Sequence, residues 1–272
     1  MKSRQLMIAV VAFGYAFLYI PVILLVLYSF NDSRLVTVWG GFSMRWYGEL
    51  FNNESLISAA WLSLRIATVN ATFAVALGTL AAYSLTRYRR FRGRTGYELL
   101  LTAPLVMPDV IIGLSLLLLF IVMEQLIGWP AGRGFTTISI AHITFSLAYA
   151  TVVIRSRMGQ LDPSLEEAAM DLGARPLIVF LKITLPLLAP ALISAWLLAF
   201  TLSLDDLVIA SFVSGPGATT LPMWIYASVR LGITPEINAL ATLMLLLVVL
   251  AVLVSSRILK KTPKIKQKKQ SR

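Results

Sequence analysis

Long apolar stretches alternate with short polar ones along this chain. A helix needs about 20 mainly apolar residues to cross a bilayer. Six runs meet that length: Met7–Phe30, Ser58–Thr86, Leu99–Met123, Thr137–Ile154, Leu188–Phe212 and Glu236–Ser256. Lipid offers no partner to a bare backbone amide, so a spanning segment must satisfy its hydrogen bonds internally, as a helix does. The short alternating segments of about ten residues that build a membrane barrel do not occur. The pattern predicts an all-α membrane protein with six transmembrane helices.

The first run follows Lys2 and Arg4, as a signal sequence would. It is too long for a typical signal core and ends at Phe30-Asn31-Asp32-Ser33 with no small-residue cleavage site. It therefore reads as a retained first span. Basic residues then set the orientation. With the N-terminus inside, nineteen of the 24 Lys and Arg residues fall in inner segments and four, Arg34, Arg45, Arg133 and Arg230, in outer ones; Arg65 lies within a span. Inner loops carry the positive excess in membrane proteins, which predicts an N-in, C-in topology. The tail ILKKTPKIKQKKQSR reads as a basic anchor near anionic lipid.

Composition agrees and narrows the chemistry. Hydrophobic residues make up 58% and charged residues 14%, against about a quarter charged in a soluble domain. The net charge of +11 is accounted for by residues flanking spans, so no nucleic-acid partner is expected. With no cysteine and one histidine, thiolate and His-rich metal sites are excluded. No phosphate-binding GxxxxGK[ST], HExxH or GxSxG motif is present. No catalytic residue and no cofactor are expected in this chain, and any ATP it uses must be bound by another.

Arg155 to Leu187 forms the longest inner loop between spans. Asp162-Pro163 reads as an N-cap followed by Pro at the first helical position, with Ser164-x-x-Glu167 as an overlapping capping box. Gly173 stands where a helix ends, Pro176 where a second begins, and Leu185-Pro186 where that second helix closes. Two short helices at an angle make a rigid elbow. It either docks a partner or is a structured loop with none.

Glu167-Ala168-Ala169, then Gly173, then Ile183-x-Leu185-Pro186 resembles the EAA loop of the inner-membrane permease subunits of binding-protein-dependent ABC importers. The stretches Ala103–Val110, Ser203–Leu207, Ser211–Pro216 and Pro235–Thr242 are similar to polyamine permeases, and Phe212–Pro222 to the putrescine-type second permease subunit. The resemblance implies an ABC transporter type-1 transmembrane domain over 58–256, after a first span and outer loop over 1–57 and before a basic tail over 257–272. It implies that loop 155–187 is the coupling helix seated on an ATPase, with Glu167, Ala168, Ala169, Gly173, Ile183 and Pro186 as the coupling residues. The implied function is import of a polyamine, putrescine first, across the bacterial inner membrane. The implied partners are a second homologous permease subunit, a cytoplasmic ATPase pair that holds ATP and Mg, and a periplasmic polyamine-binding protein. The rival class is an autonomous secondary transporter or cation channel, which explains buried carboxylates but not the elbow.

Ionisable groups are costly inside a bilayer. Asp109 is expected ~15 Å above the inner end of its span, Asp205 and Asp206 ~25 Å up theirs, and Arg65 ~10 Å below the outer end of its own. Either Arg65 pairs with Asp205 or Asp206 as an internal bridge, or the carboxylates line a cation path. Neighbouring helical residues point ~100° apart, so the two aspartates are not expected to share one task. Trp224 and Tyr226 read as interfacial belt residues or as an aromatic wall for a methylene chain. His142 reads as a packing and hydrogen-bonding residue. Small faces at Ala74, Gly78 and Ala82 and at Ala191, Ala195 and Ala199 permit close helix approach, within the chain or to a second permease.

Overall fold

The computed structural model describes residues 2–35, 38–88, 90–231 and 235–261. Arg89 and the tail from residue 262 onward lie outside the described residues. Among them every regular element is helical, apart from an isolated antiparallel bridge between Asn31 and Phe42. Six helices are long and apolar enough to cross a membrane: Arg4–Tyr28, Glu54–Arg87, Asp109–Ile127, Phe135–Met158, Pro176–Leu204 and Glu236–Val254.

The chain forms two compact units. One comprises residues 1–58 and 225–272. Its described helices include α1 (Lys2–Tyr28) and the short α2 (Arg45–Asn52), which buries Trp46 and Leu50. The loop between them folds around the buried Asn31. Its amide donates to the Val38 carbonyl at 2.7 Å, and its side-chain oxygen accepts the Gly40 amide at 2.7 Å. Its backbone carbonyl accepts the Trp46 indole.

The other unit covers residues 59–224 and carries both candidate sites. Most of α3 (Glu54–Arg87) belongs to it, followed by α4 (Arg94–Val106), α5 (Asp109–Ile127) and α6 (Phe135–Met158). Next come α7 (Ser164–Asp171), α8 (Pro176–Val179) and, after one turn of π-helix at Phe180–Thr184, α9 (Leu185–Leu204). The six-residue α10 (Val208–Val213) and the start of α11 (Leu221–Leu231) complete it, and α12 (Glu236–Lys261) returns to the first unit to pack on α1 and α2.

Small residues decide how closely these helices approach. Ala74 and Ala82 are fully buried, and a Cβ added at Gly78 would stand 3.1 Å from Ala150 of α6. Ala195 and Ala199 are fully buried in α9, which packs chiefly on α6. Both small faces therefore serve packing inside this chain. Asn70 ties three helices together, donating to Ser146 of α6 at 3.1 Å and to the Ala199 carbonyl at 2.7 Å. Such a buried amide holds register because its desolvation is offset only when its partners are in place.

Two expected spans are corrected. The run Leu99–Met123 is not one helix, because α4 ends at Val106 and α5 starts at Asp109. Met107 is extended (φ −83°, ψ 136°), the conformation that a residue before proline prefers, so Pro108 breaks the helix there. The run Leu188–Phe212 also divides, because α9 ends at Leu204 and α10 starts at Val208. The continuous helix to which α9 belongs begins earlier, at Pro176.

Candidate functional site

Two groups of residues in the 59–224 unit draw notice, at the start and at the end of α9. The first is the elbow. The Asp162 carboxylate accepts the Ser164 amide at 3.0 Å, but α7 starts one residue later than expected, so Pro163 holds the N-cap position and Asp162 closes an Asx turn just before it. That bond holds the Asp162 carboxyl below its ordinary pKa. The overlapping capping box does not form, because Ser164 is already the first residue of α7. At the far end Gly173 takes φ +86°, with its amide on the Met170 carbonyl and the Ala174 amide on the Ala169 carbonyl. This is the Schellman arrangement, and it needs a residue that tolerates positive φ. Pro176 opens α8 as expected.

Leu185-Pro186 does not close that second helix. The π-turn sends the Leu185 amide back five residues to the Phe180 carbonyl, and α9 starts at Leu185. Pro186 is thereby the second residue of the α-segment that follows the π-turn within one continuous helix. Ile183 lies half-buried in the π-turn.

The structure divides the two glutamates of the elbow. Glu167 and Ala168 are exposed and Ala169 is half-buried. Glu166 points inward: its Oε1 accepts Arg87 Nη2 at 2.7 Å and Thr184 Oγ1 at 2.8 Å. Sequence reasoning missed this trio. The signal present was the adjacent Glu-Glu pair, which cannot put both side chains on one face of a helix. Around the outward acid, Leu172 is 89% exposed and Leu177 68% exposed, so the elbow presents apolar side chains unusually openly.

The second group gathers where helices break. Asp206 accepts the Ala210 amide at 2.7 Å and the Ile209 amide at 3.3 Å, closing the first turn of α10. It also lies 3.1 Å from His142 Nε2, and His142 Nδ1 lies 2.7 Å from Ser203 Oγ. A proton on Nε2 donates to Asp206, an assignment made from these partners. His142 is thus the buried hydrogen-bonding residue that was expected.

Asp205 follows α9 directly and is exposed, as is Asp109 in the first turn of α5. Asp109 and His142 both lie within electrostatic reach of Asp205. The cause is packing. A Cβ on Gly113 would meet Phe212 at 2.7 Å and Ile209 Cα at 3.3 Å, so α5 and α10 touch there. Asp109 is one turn before Gly113 on the same face and is carried toward the break that holds the aspartates.

Of the two alternatives for Arg65 and the aspartates, the internal bridge is not made. The Arg65 guanidinium stacks 5.0 Å over the Phe135 ring, and no carboxylate among the described residues lies within 4.0 Å of it. Trp224 is half-buried in its unit. In the other unit Tyr226 is exposed, and its ring face and hydroxyl are engaged by Arg230, at 4.7 Å and 2.6 Å. Among the described residues no group of three or more His, Cys, Asp or Glu is placed to hold a metal.

Residues 74–262 match the family described as binding-protein-dependent transport system inner membrane component. The chain is 64% identical over 238 residues to the putrescine transport system permease protein PotI of Escherichia coli K12, covering 88% of this chain and 85% of that protein. It is 47% identical to the spermidine/putrescine transport system permease protein PotC of Haemophilus influenzae, covering 91% and 93%. Among solved structures, a bacterial alginate ABC transporter in complex with a pentasaccharide-bound periplasmic protein superposes with a TM-score of 0.70 at 17% identity, covering 95% of each chain. That likeness speaks for the fold.

Proposed function

Because the chain belongs to the binding-protein-dependent transport system inner membrane components, we propose that it is the permease subunit through which an ATP-driven importer passes putrescine into the bacterial cytoplasm. The observation that carries the substrate is the 64% identity to a putrescine permease across most of both chains. The elbow supports the coupling role. It opens on the Asp162 turn and ends on the Gly173 cap, bears an outward Glu167, and exposes Leu172 and Leu177. An apolar, acid-edged surface on a rigid turn suits docking into a cleft of an ATPase.

In this reading the N- and C-termini face the cytoplasm, as does the elbow. Two ATPase subunits bind ATP and Mg, a homologous second permease completes the pathway, and a periplasmic polyamine-binding protein delivers the substrate. Asp205 and Asp109 receive the ammonium groups, because their carboxylates are exposed while Asp206 is engaged within the fold. Trp224 serves as an apolar wall. Tyr226 is a weaker candidate, since Arg230 already occupies its ring face.

The test is uptake of labelled putrescine into proteoliposomes. The four-component assembly with ATP inside is compared with the same assembly holding an ATPase that cannot hydrolyse, and with this chain alone. Uptake by the complete assembly only is the expected result. Uptake by the chain alone under an ion gradient would replace this reading with that of an autonomous transporter.

A further inference from the structure

We infer that Glu166, Arg87 and Thr184 form a clamp that converts movement of the elbow into movement of two spans, α3 and α9. The inference rests on the reading of the elbow as the ATPase contact. Its basis is that a single carboxylate oxygen joins three elements. Glu166 belongs to α7, Arg87 is the last residue of α3, and Thr184 is the last residue of the π-turn that feeds α9. Both donors reach Oε1, at 2.7 Å and 2.8 Å.

Two features make this contact the anchor of α7. First, α7 has no fully buried residue, so deep apolar packing does not hold it. Second, the ion pair is shielded, with Arg87 and Glu166 side chains 16% and 12% exposed and Thr184 1% exposed. A shielded pair transmits force where a solvated one would be screened and loose. Opening it would strand a charge away from water.

The π-turn contributes directly. Its wider winding ends on Thr184 and presents that hydroxyl to Glu166 before the α-helical register resumes at Leu185. Arg87 also keeps a reserve, because its Nε is buried without an acceptor. A shift of α7 that brings Oε2 opposite Nε would turn one contact into a bidentate pair, the stronger geometry for arginine and carboxylate. The clamp thus holds when the elbow is pushed and tightens when it slides. These are positioning residues: none touches putrescine or ATP.

The complete four-component transporter in proteoliposomes tests the clamp, with putrescine uptake and ATP hydrolysis measured together. Glu166→Gln and Arg87→Gln are each expected to lower uptake per ATP hydrolysed by about tenfold. Exchange of the charges, Arg87→Glu with Glu166→Arg, is expected to recover a large part of that loss. Thr184→Val removes only a hydroxyl and is expected to show a smaller loss in the same ratio, which decides the matter if a charge variant fails to assemble. An ATP-dependent wild type with variants of unchanged uptake per ATP would overturn the clamp alone. So would uptake and hydrolysis falling in step, with no recovery on exchange, since that is what a merely structural pair would do. Wild-type uptake that needs no ATP would overturn the reading of the elbow, and the clamp with it.

Discussion

Two adjacent acid pairs, Glu166-Glu167 at the elbow and Asp205-Asp206 after α9, are separated by a helix ~30 Å long. Each pair splits in the same way, with one carboxylate held inside by partners and the other presented outward. They differ in what holds the inner acid. Glu166 is held by a cation and a hydroxyl from other helices, Arg87 and Thr184. Asp206 is held by a buried imidazole and by two amides of the segment it starts. The first arrangement ties elements together, and the second ends one helix and begins the next. The comparison teaches that paired acids here are not doubled ligands. In each, the inner residue fixes the geometry in which its neighbour is displayed.

The comparison can be broken most severely at Asp206. Asp206→Ala leaves His142 and two amides without their acceptor, and a loss of about 3 kcal/mol is expected. Thermal unfolding in detergent should show it as a large fall in Tm, and an unchanged Tm would mean that the inner aspartate is not structural. Next is the contact that brings Asp109 toward the break. Gly113→Val drives a side chain into Phe212 and Ile209, at about 2 kcal/mol. Lower stability together with weaker putrescine uptake is expected, and stability is read in the same unfolding assay.

The outer aspartate should behave in the opposite manner. Asp205→Asn is expected to reduce uptake by about tenfold while changing stability by less than about 0.5 kcal/mol. Normal uptake by that variant would remove Asp205 from the pathway. At the elbow, Gly173→Ala forces a side chain to adopt positive φ, at about 1 kcal/mol. Reduced co-purification of the ATPase with an intact membrane unit is the expected readout.

The smallest effect concerns pH. The Ser164 amide holds the Asp162 carboxyl below its ordinary value. The turn that this bond closes is therefore fully present above about pH 4, the ordinary aspartate range, and is lost as pH falls through the depressed value. Proteolysis of the elbow should quicken with acid only below that range, and this acid-dependent rise should be absent in Asp162→Ala, which lacks the bond at every pH.

Much of this was legible from local sequence. Spans one, two, four and six came out within a few residues of their helices, because continuous apolar runs leave lipid-facing helices little alternative. The elbow's turn was readable, and its start to within a residue, because Asp162, Gly173 and Pro176 act on their immediate chain neighbours. Pro108 and Pro186 were misjudged in opposite directions, one breaking a helix expected to continue and the other continuing one expected to stop. Hydropathy cannot distinguish these outcomes, since apolar residues surround both. What decides is whether the neighbouring amides find other partners, as Leu185 does through the π-turn.

The sequence by itself determined the membrane class, the number of spans, the elbow and the family, since each rests on apolar length, turn-forming residues or a contiguous motif. Tertiary structure alone decided which member of each acid pair is engaged, where Arg65 rests and which residues meet Glu166. Those outcomes join positions far apart in the chain, 79 residues from Arg87 to Glu166 and 64 from His142 to Asp206. No local pattern encodes such pairs. They follow from helices packed closely enough that a buried polar group must find its partner on a neighbouring helix.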